Sequence, residues 1–388
     1  MWQLILWQVA AAAPSFKLGP ETGYALARCL DGSPGRYYLS PGSGDGALKF
    51  LIFHEGGGFC DSDDSCRQRA ATSLGSTASD AEEKDLEILD NLKFSRNAGE
   101  NPMHNWNHVY VRYCDGAYYS GSREEPKNVS GLPLYFRGRY ITMALFADLQ
   151  NRGMSNATDV VLSGCSAGAI HIFAHLDAMK EMAPRSAKVV GLPDSGFYMD
   201  KQIFTPLKRY VVTEQQATAL LNQDCVKQYD GAEEKCLVGN VVAAYLQTPT
   251  FALQSRYDDD QHQCEMDEAC RNSNECIQEY AANMTKAMQT YLTYPHGYFL
   301  DSCSRHCSFN ERPVDPQSGL SQLEAFGAWY AGSNATYTQE PHFPCPQCCH
   351  GTGTFSAQIS FTTTSQPSSS TLISLVYAFN MAHQGVLI

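Results

Sequence analysis

"VVLSGCSAGAIHIFAHL", residues 160–176, decides the fold. An apolar, β-branched run ends in Gly164-Cys165-Ser166-Ala167-Gly168 and passes at once into a helix-period pattern with Ile170, Phe173 and Ala174 on one side. One small hydroxyl, Ser166, therefore sits at the tightest point of a strand-to-helix turn, with the free N–H groups and positive dipole end of a helix behind it. A G-x-S-x-G match alone is weak, because Gly and Ser abound in turns. The buried strand before it and the helix after it supply the context of a nucleophile elbow.

Outward from this stretch, four more β-branched or aromatic runs end in Gly or Asp: "LKFLIFHEGGG" from Leu48, "HVYVRYCDG" from His108, "AKVVGLPDSG" from Ala187 and "TFALQSRYDDD" from Thr250. Helix-period segments lie between them, such as "GRYITMALFADLQNRG" (138–153), where Ile141, Ala144, Leu145 and Leu149 share a face. Buried strands alternating with helices predict an α/β fold of α/β-hydrolase type, a largely parallel sheet flanked by helices. Ligands of such sheets bind at the carboxyl ends of the strands, where every one of these turns falls.

A serine hydroxyl is a poor nucleophile until a base takes its proton, and the developing oxyanion needs donors already in place. "HEGGGFC", residues 54–60, follows a strand and offers three successive glycines whose N–H groups no side chain obstructs. The triad order Ser, acid, His is met downstream of Ser166 by Tyr257-Asp258-Asp259-Asp260 and then by "GYFLDSCSRHCSF", which carries His306.

These residues resemble the pectin acetylesterases and the related Notum carboxylesterases. The matching segments, in the family's order, are "FHEGGGFC", "NPMHNWNHVYVRYCDGAYYSG", "YFRGRYI", "SGCSAGA", "GLPDSGFYMD", "FALQSRYDDDQH" and "FLDSCSRHC", spanning about Cys29 to Cys307. The resemblance implies Ser166 as nucleophile, Asp258 as the acid and His306 as the base, with Gly57, Gly58 and Ala167 as oxyanion-hole donors. It also suggests Cys60–Cys66 and Cys29–Cys114 as disulfides. The chain departs from the family's pattern at Phe59 (usually Trp), Ala169 (usually Gly) and Asp260 (usually aromatic), changes that touch pocket shape rather than chemistry.

The formal charge of −13, without any basic cluster, argues against nucleic acid as a partner. Fifteen cysteines, mostly not in paired CxxC modules, point to disulfides in an oxidising compartment. "CPQCCH" (345–350) is one half of a zinc site without its second pair, so disulfides are expected there too. Cys165, beside Ser166, is the candidate for the unpaired thiol of an odd count. Sequons at Asn128, Asn156, Asn283 and Asn334 fit a secreted glycoprotein.

The organisation expected is an N-terminal apolar or signal-like segment over 1–14, a single esterase domain over 15–352 and a Ser/Thr-rich tail over 353–388. No stretch reaches the roughly 18 apolar residues of a membrane span. Asp194, Asp115, His54, His171 and His175 lie beside the motifs and are read as structural, the two aspartates as acceptors of backbone N–H groups.

The expected function is a monomeric serine esterase, secreted to the extracellular space or cell wall, acting on O-acetyl or other short-chain acyl esters of carbohydrate, with no cofactor and no metal. "GCSAG" and "YCDG" lie closer to the pectin acetylesterases than to Notum. The alternatives are a Notum-like enzyme removing a fatty acyl group from a protein, and a non-catalytic binding protein on the same fold.

Overall fold

The five runs read as strands from the sequence lie side by side. In the computed structural model, which describes residues 12–89, 92–307, 312–334, 336–338 and 349, they are β3 (Lys49–His54), β5 (Asn107–Val111), β8 (Asp159–Cys165), β9 (Lys188–Asp194) and β10 (Phe251–Ser255). They pair in the order β5-β3-β8-β9-β10, all parallel. Two further parallel strands, β11 (Gly297–Asp301) and β12 (Tyr337–Thr338), extend the sheet beyond β10.

On the other side the pairing turns antiparallel through β2 (Gly35–Ser40), β1 (Ala13–Leu18) and β4 (Glu83–Lys84). β6 (Lys127–Val129) and β7 (Leu132–Leu134) form a separate hairpin. Ala13 and Pro14, the end of the apolar opening, are strand residues of β1; residues 1–11 of that opening and the Ser/Thr-rich tail lie outside the described residues.

The period of two in each strand divides the core between the two faces of the sheet. Phe50 and Ile52 of β3 join Val109, Val160 and Leu162 on one face, under α2 (Gly138–Asn151) and α3 (Ala167–Met182). Leu51 and Phe53 join Tyr110, Val161, Val190 and Leu192 on the other, under the helix Gln322–Tyr330 with Leu323, Phe326 and Trp329. α3 is buried on all sides along residues 167–176, which explains why its apolar pattern is nearly continuous rather than striped.

Register then lines up the carboxyl ends. His54 lies opposite Gly164, Cys165 opposite Asp194, Asp194 opposite Leu253 and Ser255 opposite Asp301. The segments that follow, 55–59, 166–168, 195–197, 256–260 and 302–307, emerge along one edge of the sheet.

Candidate active site

Ser166 follows β8 and is the N-cap of α3 with φ 56° and ψ −121°, a strained conformation for a residue with a side chain and the mark of a sharp strand-to-helix turn. The glycines two residues either side are sterically required. A Cβ on Gly168 would stand 2.1 Å from the His54 carbonyl oxygen, and one on Gly164 2.6 Å from the Gly168 backbone. Ser166 is 8% exposed, and its N–H donates to the Asp194 carbonyl at 3.1 Å.

Asp258 follows β10 and caps the helix Asp259–Glu265, its Oδ1 accepting from the N–H groups of Asp260 and Gln261 at 3.1 Å each. Both carboxylate oxygens also lie 2.8 Å from His306 Nδ1. Asp258 is fully buried, and a buried carboxylate only accepts, so the arrangement places the Nδ1 proton between them and leaves Nε2 as the basic nitrogen. Burial pushes the imidazole down, but the Asp258 carboxylate, then Asp260 and Asp194, outweigh it and hold the group up at about 9.

What brings the His306 turn to the Ser166 turn is a disulfide between their neighbours, Cys165–Cys307. Cys165 is therefore not the unpaired thiol expected from the sequence; among the described residues that is Cys264. Both cysteines are buried, Cys165 at the end of β8 and Cys307 after β11. Their sulfurs and a His306 ring nitrogen lie within 4.8 Å of one another, but bonded sulfurs offer no thiolates to a metal.

Cys29–Cys114 and Cys60–Cys66 pair as the resemblance suggests, joined by Cys225–Cys236, Cys270–Cys276 and Cys303–Cys349. Of "CPQCCH", Cys349 is thus in a disulfide, and Cys345 and Cys348 lie outside the described residues.

The glycine loop is held by its carbonyls. Arg69 Nη2, from α1 (Asp63–Ala70), donates to Gly57 O at 2.7 Å, and the Tyr113 hydroxyl donates to Gly58 O at 2.8 Å. In a trans peptide the N–H points opposite to the C=O, so the tie on Gly57 O turns the Gly58 N–H away from α1. Among the described residues the N–H groups of Gly57, Gly58 and Ala167 find no backbone acceptor. A Cβ on Gly56 would meet the Ser166 Cβ at 2.9 Å, so the loop runs against the serine turn.

Asp194 is completely buried, and its carboxylate faces two cations, Lys93 Nζ at 2.8 Å and Arg305 Nη1 at 3.4 Å, which the sequence reading did not foresee. Arg305 also donates to Asp301 at 2.6 Å. Ser195 Oγ accepts the Cys307 N–H at 2.8 Å, so Asp194 and Ser195 brace both the Ser166 turn and the His306 turn. Tyr113 and Ser195 lie inside segments that carry the family resemblance, but their partners were not legible there; Lys93 and Arg69 carried no signal in the sequence, and only the cysteines flanking Ser166 and His306 could have announced their bond.

Asp115 accepts the N–H groups of Ala117 and Tyr119 at 3.3 and 3.0 Å. His54, His171 and His175 are buried, each with Nδ1 on a backbone carbonyl.

The pectinacetylesterase family model matches residues 21–350. Pectin acetylesterase 5 of Arabidopsis thaliana is 31% identical over 83% of this chain and 81% of its own length. Palmitoleoyl-protein carboxylesterase NOTUM of Schmidtea mediterranea is 29% identical over 72% of this chain and 55% of its own length. The crystal structure of the Wnt deacylase Notum from Drosophila superposes with a TM-score of 0.73 and 23% identity, covering 89% of this chain and all of that one, a likeness of fold.

Proposed function

Because this chain belongs to the pectinacetylesterase family, we propose that it hydrolyses short-chain O-acyl esters of carbohydrate through Ser166, His306 and Asp258. It is a carboxylic ester hydrolase. The observation that carries the mechanism is the fully buried Asp258 carboxylate 2.8 Å from His306 Nδ1, on the sheet edge that also carries the Ser166 elbow.

In this reading His306 Nε2 takes the Ser166 proton as Oγ attacks the acyl carbon. The tetrahedral oxyanion is met by the N–H groups of Gly57, Gly58 and Ala167. The proton on Nε2 passes to the departing alcohol oxygen, leaving an acyl-serine. Water, deprotonated by the same nitrogen, then releases the acid and regenerates Ser166.

A short acyl group is favoured because the aromatic residues next to the glycine loop and Asp260 carry polar groups among them. Phe59, directly after the glycines, packs 5.1 Å from Tyr118 and 5.9 Å from Phe204, and Tyr198 stacks at 5.3 Å on Phe204. The polar groups are the Tyr198 hydroxyl on Asp260, the buried Tyr118 hydroxyl, and Lys208 Nζ 4.3 Å from the Phe204 ring. A long alkyl chain gains about 0.8 kcal/mol per buried CH₂ only where apolar room exists. The disulfides support secretion, with the cell wall as the place of action, and among the described residues no helix is long and apolar enough to cross a membrane.

The test is turnover of p-nitrophenyl esters by the purified chain and by Ser166→Ala. Turnover is expected to be highest at acetyl or propionyl, to fall with chain length and to vanish in the variant. Activity retained in Ser166→Ala would overturn the nucleophile. A steady rise to octanoyl would replace the acetyl reading by fatty deacylation, as the names of the Notum relatives describe for them.

A further inference from the structure

Where the family's pattern has an aromatic residue, this chain places a carboxylate against the catalytic nitrogen. Asp260 Oδ2 is 3.8 Å from His306 Nε2, too far for a hydrogen bond and close enough for charge to act. The Tyr198 hydroxyl donates to the same oxygen at 2.8 Å and fixes the carboxylate there. The Asp260 N–H is fixed as well, donating to Asp258 Oδ1. The side chain is 44% exposed, so the carboxylate faces the open side of the site.

We propose that Asp260 is a specificity-determining residue that selects esters by the charge of their alcohol half, turning away anionic alcohols and favouring neutral hydroxyl-rich or cationic ones. The inference rests on the assignment of His306 as the base. Nε2 must return a proton to the departing alcohol oxygen, so that oxygen comes within hydrogen-bond reach of Nε2. A carboxylate 3.8 Å from the same nitrogen is then the next neighbour of the alcohol's first carbons. A carboxylate on the alcohol is repelled, an ammonium is attracted, and a hydroxyl finds an acceptor.

The other charges facing His306 do not cancel this. Asp258 lies on Nδ1, while Asp194 and Asp301 are paired with Lys93 and Arg305, two carboxylates against two cations whose charges balance one another. From its own helix Asp260 meets Cys264, whose thiol burial pushes up to about 12 and so keeps neutral. The chain's net charge of −13 acts in the same direction at long range. The carbohydrate carrying the ester is accordingly a neutral or basic sugar at the scissile position rather than a free uronate.

Three acetates on one skeleton test this: 3,3-dimethylbutyl acetate (neutral), acetylcholine (cationic) and 4-acetoxy-2,2-dimethylbutanoate (anionic). For the native chain kcat/KM is expected to fall about tenfold from cation to neutral ester and about tenfold again to the anion, with both steps shrinking in 0.5 M salt. Asp260→Asn should bring the three within about threefold of one another and move the acid limb of the pH profile to lower pH, because one negative charge beside the imidazole is gone.

Ratios among the three esters do not depend on how much of a variant is folded, and the salt dependence needs no variant at all. An unchanged charge ratio in Asp260→Asn, or a native ratio indifferent to charge and salt, would overturn the proposal. Turnover surviving in Ser166→Ala would instead remove the assignment beneath it.

Discussion

Asp258, Asp259 and Asp260 are adjacent in the chain and have three different partners. Asp258 meets His306 Nδ1, Asp259 accepts from the exposed Ser304 hydroxyl at 2.9 and 2.7 Å, and Asp260 faces Nε2. Loss of the carboxylate that orients a catalytic histidine typically costs about 10⁴ in turnover. Asp258→Asn is expected to show a loss of that order in kcat, while Asp259→Asn should cost about tenfold or less, since an exposed hydrogen bond contributes little. Steady-state kinetics on one acetate ester ranks them, and the reverse ranking would move the acid. The same residue scale sets the pH profile. A base must be neutral to act, and His306 is held up at about 9, so the active fraction falls about tenfold per pH unit below that value. kcat/KM is expected to climb through pH 6–8; a plateau across that range would show that another group is the base.

Turns, more than strands, hold the site's elements together. The Cys165–Cys307 bond ties the end of β8 to the segment after β11, across 142 residues of chain. Because the triad contains no thiol, the sequence alone predicts that a reducing agent destabilises the protein well before it touches the chemistry. With this bond next to both Ser166 and His306, Cys165→Ala with Cys307→Ala should lower kcat by about tenfold or more while far-UV circular dichroism stays native, since small misplacements of reacting groups are costly. Unchanged kcat in that variant would return the bond to a purely structural role. The α1 tie is a second case. Arg69→Met frees the Gly57 carbonyl and with it the Gly58 N–H, and is expected to lower kcat about tenfold or more with KM little changed, below the 10²–10³ cost of removing a donor outright.

Across the whole molecule, buried titratable groups set the pH of greatest stability. Burial pushes His54 down to about 4 and His108 and His175 down to about 3. Their folded pKa is depressed, so each contributes stability present above about 6.5 and lost as pH falls toward the folded value. At pH 5 the loss is about 2 kcal/mol for each. Two groups act with the opposite sign. Burial holds Glu265 up at about 8, and the carboxylates hold His306 up at about 9. Stability from these is full below their unfolded values and lost as pH rises through the folded ones. Denaturant midpoints are expected to peak near neutrality and to drop steeply toward pH 5, with His175→Leu removing about one proton from the uptake on unfolding. A midpoint level from pH 7 to 5 would contradict the buried neutral histidines.

The five runs that became β3, β5, β8, β9 and β10 were legible because each is short, apolar and ended by Gly or Asp, and a strand buried on both faces must look so. The glycines around Ser166 and the order Ser166, Asp258, His306 were legible for the same local reason: a sharp turn and a strand end dictate residue types to their own few neighbours. β1 and β2 escaped: β1 is a partly exposed strand near a sheet edge, and β2, though largely buried, mixes Gly35, Arg36 and Ser40 with its apolar residues. What only tertiary structure decided are the meetings between distant turns. Cys165 found Cys307, Arg69 found the Gly57 carbonyl, Lys93 found Asp194, and Asp260 came to face Nε2 rather than solvent alone. Such pairs depend on the register that brings the strand ends level, and register is a property of the assembled sheet that no single segment carries.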